Sequence, residues 1–374
     1  MARIVDLTGH AGAYCCRLLA EMGHDVIRVE PRRGDALRRL GPFLGDKPDP
    51  ESGAYHHFLN AGKRSITPNL ACTAGRKLLL ELVATSDAIV GGQPLPLAQE
   101  DILAAKETLV IVRVDDSLPE LCAYARSGLL AVTGHPDRQP VLLGGHAAYA
   151  ASGAFAAVAL TAALLVQQTT GQGQVIDLSV QDCLEVLGEQ GVIAATETGE
   201  QFERRGFRGA ATAISGAFRC ADGYAMLSVA PSQENWGRFM DWVQDPVLAA
   251  DESLADEAER RAKKDFVIDR LERWTSSHGK EELVLQSQAM HTPAAPITTS
   301  LDLVEDPQLM ARGFLRKVEH PQLGSMMSPV GALASLRGFQ PGLAPRIGQH
   351  NSDILSELGY STPQQESLLG SDAI

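Results

Sequence analysis

Basic residues are in short supply in this chain of 374 residues: 33 Lys and Arg stand against 46 Asp and Glu, a formal charge of −13. That deficit argues against nucleic acid or an anionic membrane as the main partner, because both reward excess Lys and Arg. It leaves room for one anionic small ligand in a local basic pocket. Aromatic residues are also scarce, at 5%. The six cysteines (Cys15, Cys16, Cys72, Cys122, Cys183, Cys220) form no CxxC and no CxxC…HxxxH spacing. They read as reduced, mostly buried thiols of a cytoplasmic protein with no metal site. No charged n-region with an apolar h-region opens the sequence, so no secretory signal is expected. The dinucleotide fingerprint is missing as well: Gly9 and Gly12 give GxxG, not GxGxxG, which argues against a nicotinamide cofactor. No internal repeat or low-complexity tract occurs. What is present is ordinary globular composition, 44% apolar and 21% charged, which excludes disorder, collagen and coiled coil as whole-chain readings.

One uncharged run, Ala147 to Val166, has the length of a membrane span. Ala and Gly dominate it, and Tyr149, Ser152 and Thr161 interrupt it. A small-residue helix buried in a globular core is the better expectation.

The N-terminal half alternates strand and helix patterns. Arg3 to Leu7 is a short buried strand, Thr8 to Gly12 a glycine-bearing turn, Ala13 to Met22 a helix, and His24 to Glu30 a second strand. This is the outline of a Rossmann-type half. Extended segments at Ser65 to Leu70, Asp87 to Val90, Leu109 to Val114 and Val175 to Ser179 continue it. Helices are expected at Thr73 to Ala84, Glu100 to Glu107 and Val180 to Leu187. Such alternation implies a parallel sheet with helices on its faces. Glu197 to Ala213 reads as a polar, glycine-bearing linker. Gly216 to Val229 reads as a hairpin turning at Ala221-Asp-Gly223. Asn235 to Val243 and Asp251 to Trp274 read as helices of a smaller α+β domain. After about Thr298, short strands and no long helix are expected. The fold class is therefore α/β, with a Rossmann-like large domain and a small α+β domain. The expected boundaries are 1–197 for the first part of the large domain, 214–298 for the small one, and 299–374 for a C-terminal part that completes the large one.

Taken in order, a set of segments resembles the family III CoA-transferases, the group of formyl-CoA transferase, carnitine CoA-transferase and α-methylacyl-CoA racemase. They include Val5-Asp-Leu7, Ala11-Gly12, Gly23-His-Asp-Val-Ile-Arg-Val-Glu-Pro31, Gly34-Asp-Ala-Leu-Arg38 and Asn60-Ala-Gly-Lys-Arg-Ser65. Further along come Arg126 to Gly134, Thr170 to Ser179, Gly216 to Gly223, Glu305 to Phe314 and Pro345 to His350. The resemblance spans nearly the whole chain. It implies a homodimer of two chains threaded as linked rings, with an acyl-CoA or related acyl compound as substrate, coenzyme A as its carrier, and no metal.

Against this pattern the chain departs at the reacting centre. The resemblance implies a nucleophilic Asp four residues before the glycine that opens the Ala-rich helix. With Gly153 as that glycine, the position holds Tyr149, and no Asp or Glu lies from Arg138 to Ile176. A phenol with a pKa of about 10 is a poor nucleophile at neutral pH. Tyr149 can donate a hydrogen bond to a thioester or enolate oxygen, or simply pack. His146, beside Gly144-Gly145 in the stretch that the resemblance places by the thioester, is a candidate acid or base, or else a loop histidine. The His and Asp positions of the racemase branch fall on Pro119 and Tyr149. The Asn-Phe-Arg-Pro-Gly run that the family carries after the fourth strand reads Gly91-Gly-Gln-Pro-Leu-Pro96. What remains for CoA is Ala11-Gly12 and Gly144-Gly145 as backbone approaches, and Arg38 as a candidate phosphate ligand in the basic run Arg32 to Arg39. Ser152 reads as a helix N-cap, Asp115-Asp116 as a solvated loop, and His56-His57 as two diverging side chains. Three readings stay open: an enzyme acting on a CoA thioester by transfer or by isomerisation or elimination at the acyl α-carbon, the same scaffold working on a non-CoA acyl substrate in specialised biosynthesis, and a non-catalytic partner protein.

Overall fold

The computed structural model describes residues 1–206, 212–321, 323–331, 333 and 342–374. Part of the expected linker, 207–211, lies outside them. The chain divides into two compact units, one of residues 1–129, 142–199 and 307–374, the other of 130–141 and 200–306.

The first unit is built on six parallel strands: β1 (Arg3–Leu7), β2 (Asp25–Val29), β3 (Arg64–Ile66), β4 (Ala88–Gly92), β5 (Val110–Asp115) and β6 (Gln174–Ser179). Their spatial order is β3-β2-β1-β4-β5-β6, so the winding reverses between β1 and β4. The central strands are short β-branched runs, Ile4-Val5, Val26-Ile27, Ile89-Val90 and Val110-Ile-Val112, all buried. A strand covered by helices on both faces must be apolar throughout rather than alternating. Its helices in chain order are α1 (His10–Glu21), α2 (Ala54–Asn60), α3 (Thr73–Ala84), α4 (Gln99–Ala105), α5 (Glu120–Arg126), α7 (Ala147–Thr170), α8 (Val180–Leu187) and α9 (Glu189–Glu197), while the short α6 (Leu129–Val132) falls almost wholly in the second unit.

Small residues set the closest approach of α1 and α7. A Cβ on Gly153 would sit 2.8 Å from the Tyr14 Cβ and 2.9 Å from the Cys15 amide nitrogen. The helix α7 begins at Ala147, six residues before Gly153, and is capped by His146. Ser152 is thus no N-cap but a buried residue of the second turn, whose hydroxyl donates to the Ala11 and Tyr149 carbonyls. One face of α7 is buried, at Ala148, Gly153, Ala156, Leu160 and Leu164 among others. The other carries Val158 and Leu165, 71% and 63% exposed. A fully buried helix was expected, but this unit covers only one side of it.

Beneath the β1–α1 turn lies a buried charge network. Asp6 accepts from Arg28 Nη1 at 2.7 Å, from Lys63 Nζ at 2.8 Å and from the Thr8 hydroxyl at 2.7 Å. Burial would push this carboxyl up, but the two cations outweigh it and hold Asp6 well below the usual carboxylate range.

The C-terminal segment differs from expectation. Helices occupy Ser300–Glu305, Pro307–Ala311, Asn351–Glu357 and Thr362–Gly370, beside one hairpin, Leu315–His320 with Gly324–Pro329. Capping boxes start two of them, Thr299 with Asp302 and Ser361 with Gln364. Ile354, Leu355 and Ile374 pack into the same core as Val5, Ile27 and Ile89.

The second unit holds the expected hairpin, β7 (Ser215–Cys220) and β8 (Gly223–Ser228), extended by β9 (Ala294–Pro296). The charged stretch from Asp251 is not one helix. It breaks into Glu252–Ala255, Glu257–Ala262 and Lys264–Thr275; Asp251 and Asp256 start the first two by turning a side chain onto following backbone amides. Phe218, Leu227, Trp236, Phe239, Val267 and Leu271 form its core.

Candidate active site

In an open parallel sheet, ligands bind outside the carboxyl ends of the strands, at the point where the winding reverses. Two features lie along that edge. The first is a crevice of about 590 Å³ formed by the ends of β1 to β4, lined by Leu7, Thr8, Arg32, Asn69, Leu70 and Pro94 among others. The second is a cluster of four rings. His10, opening α1, lies 5.0 Å from Tyr55 and 4.5 Å from both His146 and Tyr149, centroid to centroid. Tyr55 of α2 lies 5.2 Å from His146. Only Gly9 separates Thr8 in the crevice from His10 in the cluster.

Each ring is set in place by local structure. Gly145 and His146 both take left-handed backbone conformations, φ +80° and +55°, which turn the chain into α7. For His146 that conformation is costly. It is held by Glu120 of α5: His146 Nδ1–H donates to Oε2 at 3.0 Å, and the Ala148 amide in the first turn of α7 donates to Oε1 at 3.3 Å. Glu120 thus caps the positive end of α7 and orients the imidazole, leaving Nε2 as the ring nitrogen not engaged by Glu120. Tyr149 sits in the same first turn. Burial, then the charges of Glu120 and Asp116, raise its pKa above the ordinary value, so the phenol stays protonated. Burial and the neighbouring His146 push His10 down to about 4, so it is neutral at pH 7. Its Nε2 is buried with no hydrogen-bond partner among the described residues. Tyr55 is pushed up to about 12 by burial and Glu120.

Tyr149 and His146 are therefore in one cluster, and Gly144-Gly145 form the exposed approach to it. Ala11 and Gly12 are buried beneath it. A Cβ on Gly12 would sit 2.6 Å from the Thr8 methyl, so this glycine serves helix–loop packing rather than ligand approach. Arg38 lies elsewhere and is 1% exposed. Its Nε and Nη2 donate to both oxygens of Glu30 at 2.7 and 2.8 Å, Nη1 to Glu51 and the Pro50 carbonyl, and Nη2 also to the Pro345 carbonyl. All five N–H groups are used, so none is left for a phosphate in this arrangement. The arginine of the basic run that lines the crevice is Arg32. His56 and His57 turn to different partners, Asn60 and the Glu51 carbonyl. Among the described residues no group of three His, Cys, Asp or Glu side chains could hold a metal.

Sequence reasoning passed over four members: His10, Tyr55, Asp116 and Glu120. Asp116 is not solvated but half-buried, one residue past β5, and a Cβ on Gly9 would come within 3.3 Å of its Oδ2. An acid two residues past a predicted parallel strand was the available signal for Asp116. Glu120, following Pro119 at a helix start, offered only a weak one.

The comparisons with known proteins bear on the fold and the family. A crystal structure of a CaiB/BaiF family protein from Brucella suis superposes with a TM-score of 0.84 at 26% identity, covering 96% of this chain and 98% of that one. A subunit of the succinyl-CoA:(R)-benzylsuccinate CoA-transferase of Thauera aromatica is 31% identical, over 100% of this chain and 97% of its own length. The succinyl-CoA:mesaconate CoA-transferase of Haloarcula marismortui is 28% identical over 96% of both chains. The sequence profile of CoA-transferase family III matches residues 2–115 and 119–351. With sheet and sequence in agreement over nearly the whole length, the chain belongs to CoA-transferase family III, enzymes that act on CoA thioesters.

Proposed function

We propose that this enzyme moves CoA between carboxylic acids, with a protonated Tyr149 where the family carries its nucleophile. The observation that carries the reading is the adjacency of crevice and ring cluster through Thr8-Gly9-His10. A CoA thioester laid along this edge puts its nucleotide in the crevice, with Arg32 facing the phosphates, and its acyl end on the rings. Tyr149 then donates a hydrogen bond to the thioester oxygen as it gains charge. His146, oriented by Glu120, carries the proton of the thiol group through Nε2. Isomerisation at the α-carbon would use the same groups, but the curated relatives named above are transferases, which favours transfer. Calorimetry with CoA, then turnover of Tyr149→Phe, tests the reading. Saturable binding and a kcat loss of about 10²- to 10³-fold are expected; no binding at millimolar CoA would sink it.

The assembly belongs to the same proposal. The exposed apolar face of α7 and the exposed Val192 and Ile193 of α9 are suited to burial against a second copy. The chain leaves the first unit after Gly199 and returns at Pro307, as threading of two chains requires. Light scattering should report a dimer, lost in Val158→Asp with Ile193→Asp. A second reading has one specific support: the Thauera relative is named as a subunit. On that reading this chain works beside a different chain that holds the nucleophile, and the purified protein binds CoA without turning it over.

A further inference from the structure

Five charged side chains among the described residues line the crevice: Arg28, Glu30, Arg32, Asp35 and Asp372. Three of them are committed inside the fold. Arg28 donates to Asp6 and to Asp35, and Glu30 accepts from both prongs of Arg38. No side chain in these pairs is more than 11% exposed. The remaining pair, Arg32 with Asp372, faces water, its side chains 40% and 75% exposed. Opening a buried pair is strongly unfavourable, whereas an exposed pair is weak and exchanges partners readily. Yet the segment that carries Asp372 is fixed. It follows the Thr362–Gly370 helix, and Ala373 and Ile374 are buried, Ile374 in the core of the first unit. The Asn69 amide donates to the Ala373 carbonyl at 2.8 Å, and Asn69 Nδ2 donates to the Asp372 carbonyl at 3.0 Å. Arg32 Nη1 donates to Asp372 Oδ1, and its Nη2 to the Ile374 carbonyl. An anchored backbone thus holds an exposed carboxylate against the solvent-facing guanidinium of the crevice.

We propose that Asp372 is a tethered rival to the ligand's phosphate, and that CoA enters the crevice by an exchange of anions on Arg32. The inference rests on the reading of the crevice as the nucleotide site of a CoA-transferase. A phosphate brings a charge of about −1.5 to −2 and three acceptor oxygens. The carboxylate offers one charge and two oxygens to the same planar fork. That difference lets the phosphate displace Asp372 from Arg32. Displacement moves a side chain and leaves Ala373 and Ile374 packed, so the rival stays within reach. It pairs with Arg32 again when CoA leaves. The device lowers affinity and speeds release, which suits an enzyme whose donor and product are both CoA thioesters.

The test is calorimetry with CoA on wild type, Asp372→Asn, Arg32→Ala and the double variant, over a series of NaCl concentrations. Asp372 takes a left-handed backbone conformation, φ +62°, which asparagine tolerates and glycine suits. Asp372→Gly therefore repeats the test without a side chain, and urea midpoints near wild type check both folds. At low salt each variant should bind CoA about 2- to 5-fold more tightly than wild type, the range of one exposed ion pair. The gain should shrink as NaCl rises, because the pair is screened. It should be absent where Arg32 is already alanine, since the rival then has nothing to hold. Removing a nearby negative charge would by itself give a gain that does not need Arg32. Unchanged or weaker binding by both variants at low salt, a gain indifferent to salt, or a gain that survives Arg32→Ala would each overturn the inference and leave the transferase reading in place. A wild-type protein that does not bind millimolar CoA would overturn both.

Discussion

Replacing Arg38 separates a structural arginine from a phosphate ligand. Its guanidinium forms a two-pronged pair with Glu30, whose side chain is as buried as its own, at 1% exposure each. Arg38→Met keeps the aliphatic volume and removes five donors. Among the described residues Glu30 then keeps only the Ser65 hydroxyl as a hydrogen-bond donor, at 2.6 Å. Breaking a buried pair from one side costs about 3–5 kcal/mol, because a charge is left without compensation. Part of that loss should return in the double variant Arg38→Met with Glu30→Leu, since removing both charges also removes their desolvation cost. Arg32 behaves oppositely. It is 40% exposed at the side chain and pairs with the more exposed Asp372, so Arg32→Ala should change stability by less than about 1 kcal/mol. The assay is a urea titration followed by circular dichroism, run beside CoA calorimetry well below the transition. Arg38→Met should shift the midpoint and leave CoA affinity near wild type, and Arg32→Ala should do the reverse. An Arg38→Met protein of full stability that no longer binds CoA would refute the reasoning.

Two further outcomes follow from packing and titration. Gly153→Ala places a methyl within 2.8 Å of the Tyr14 Cβ where α1 crosses α7, and should lower stability by about 1–3 kcal/mol in the same titration. Burial pushes His56 down to about 2 and His10 down to about 4, from an ordinary 6.5. Below pH 6.5 the unfolded chain takes up protons at these positions and the folded chain does not, so stability is fully present above 6.5 and falls as the pH drops. For His56 the slope is about 1.4 kcal/mol per pH unit at most; half-exposed His10 adds less. Urea midpoints at pH 7 and pH 5 should differ accordingly. His56→Gln should flatten the dependence, and an unchanged slope would contradict the assignment.

The sheet was largely legible because its strands are short β-branched runs between helices of clear period. Five of the expected strand segments fall within a residue or two of β1, β2, β4, β5 and β6, and the sixth overlaps β3 at its start. The C-terminal helices were missed because Pro and Gly punctuation outweighed two capping boxes that only a local search would weigh. The start of α7 was misplaced because Gly153 looks like a helix opener, whereas its role is close contact with α1. Of the proposed site, the sequence reading named only Tyr149 and His146. Asp116 and Glu120 stand 33 and 29 positions before Tyr149. They join it because β5 ends where α7 begins its first turn, a relation carried by sheet order and not by local pattern. Arg38 was misread for the same reason: Glu30, Glu51 and Pro345 converge on it from separate elements.

Degenerate exchange in heavy water tests the central claim most directly. The protein is incubated in D₂O with an acyl-CoA and the same acid in free, ¹³C-labelled form, for the acetyl, butyryl and succinyl pairs in turn. The acyl-CoA is then weighed by mass spectrometry. Transfer between carboxylates predicts that at least one acyl-CoA gains ¹³C without deuterium, and that Tyr149→Phe slows this gain by about 10²- to 10³-fold. Deuterium at the α-carbon with no ¹³C, or neither label in any pair, would contradict it.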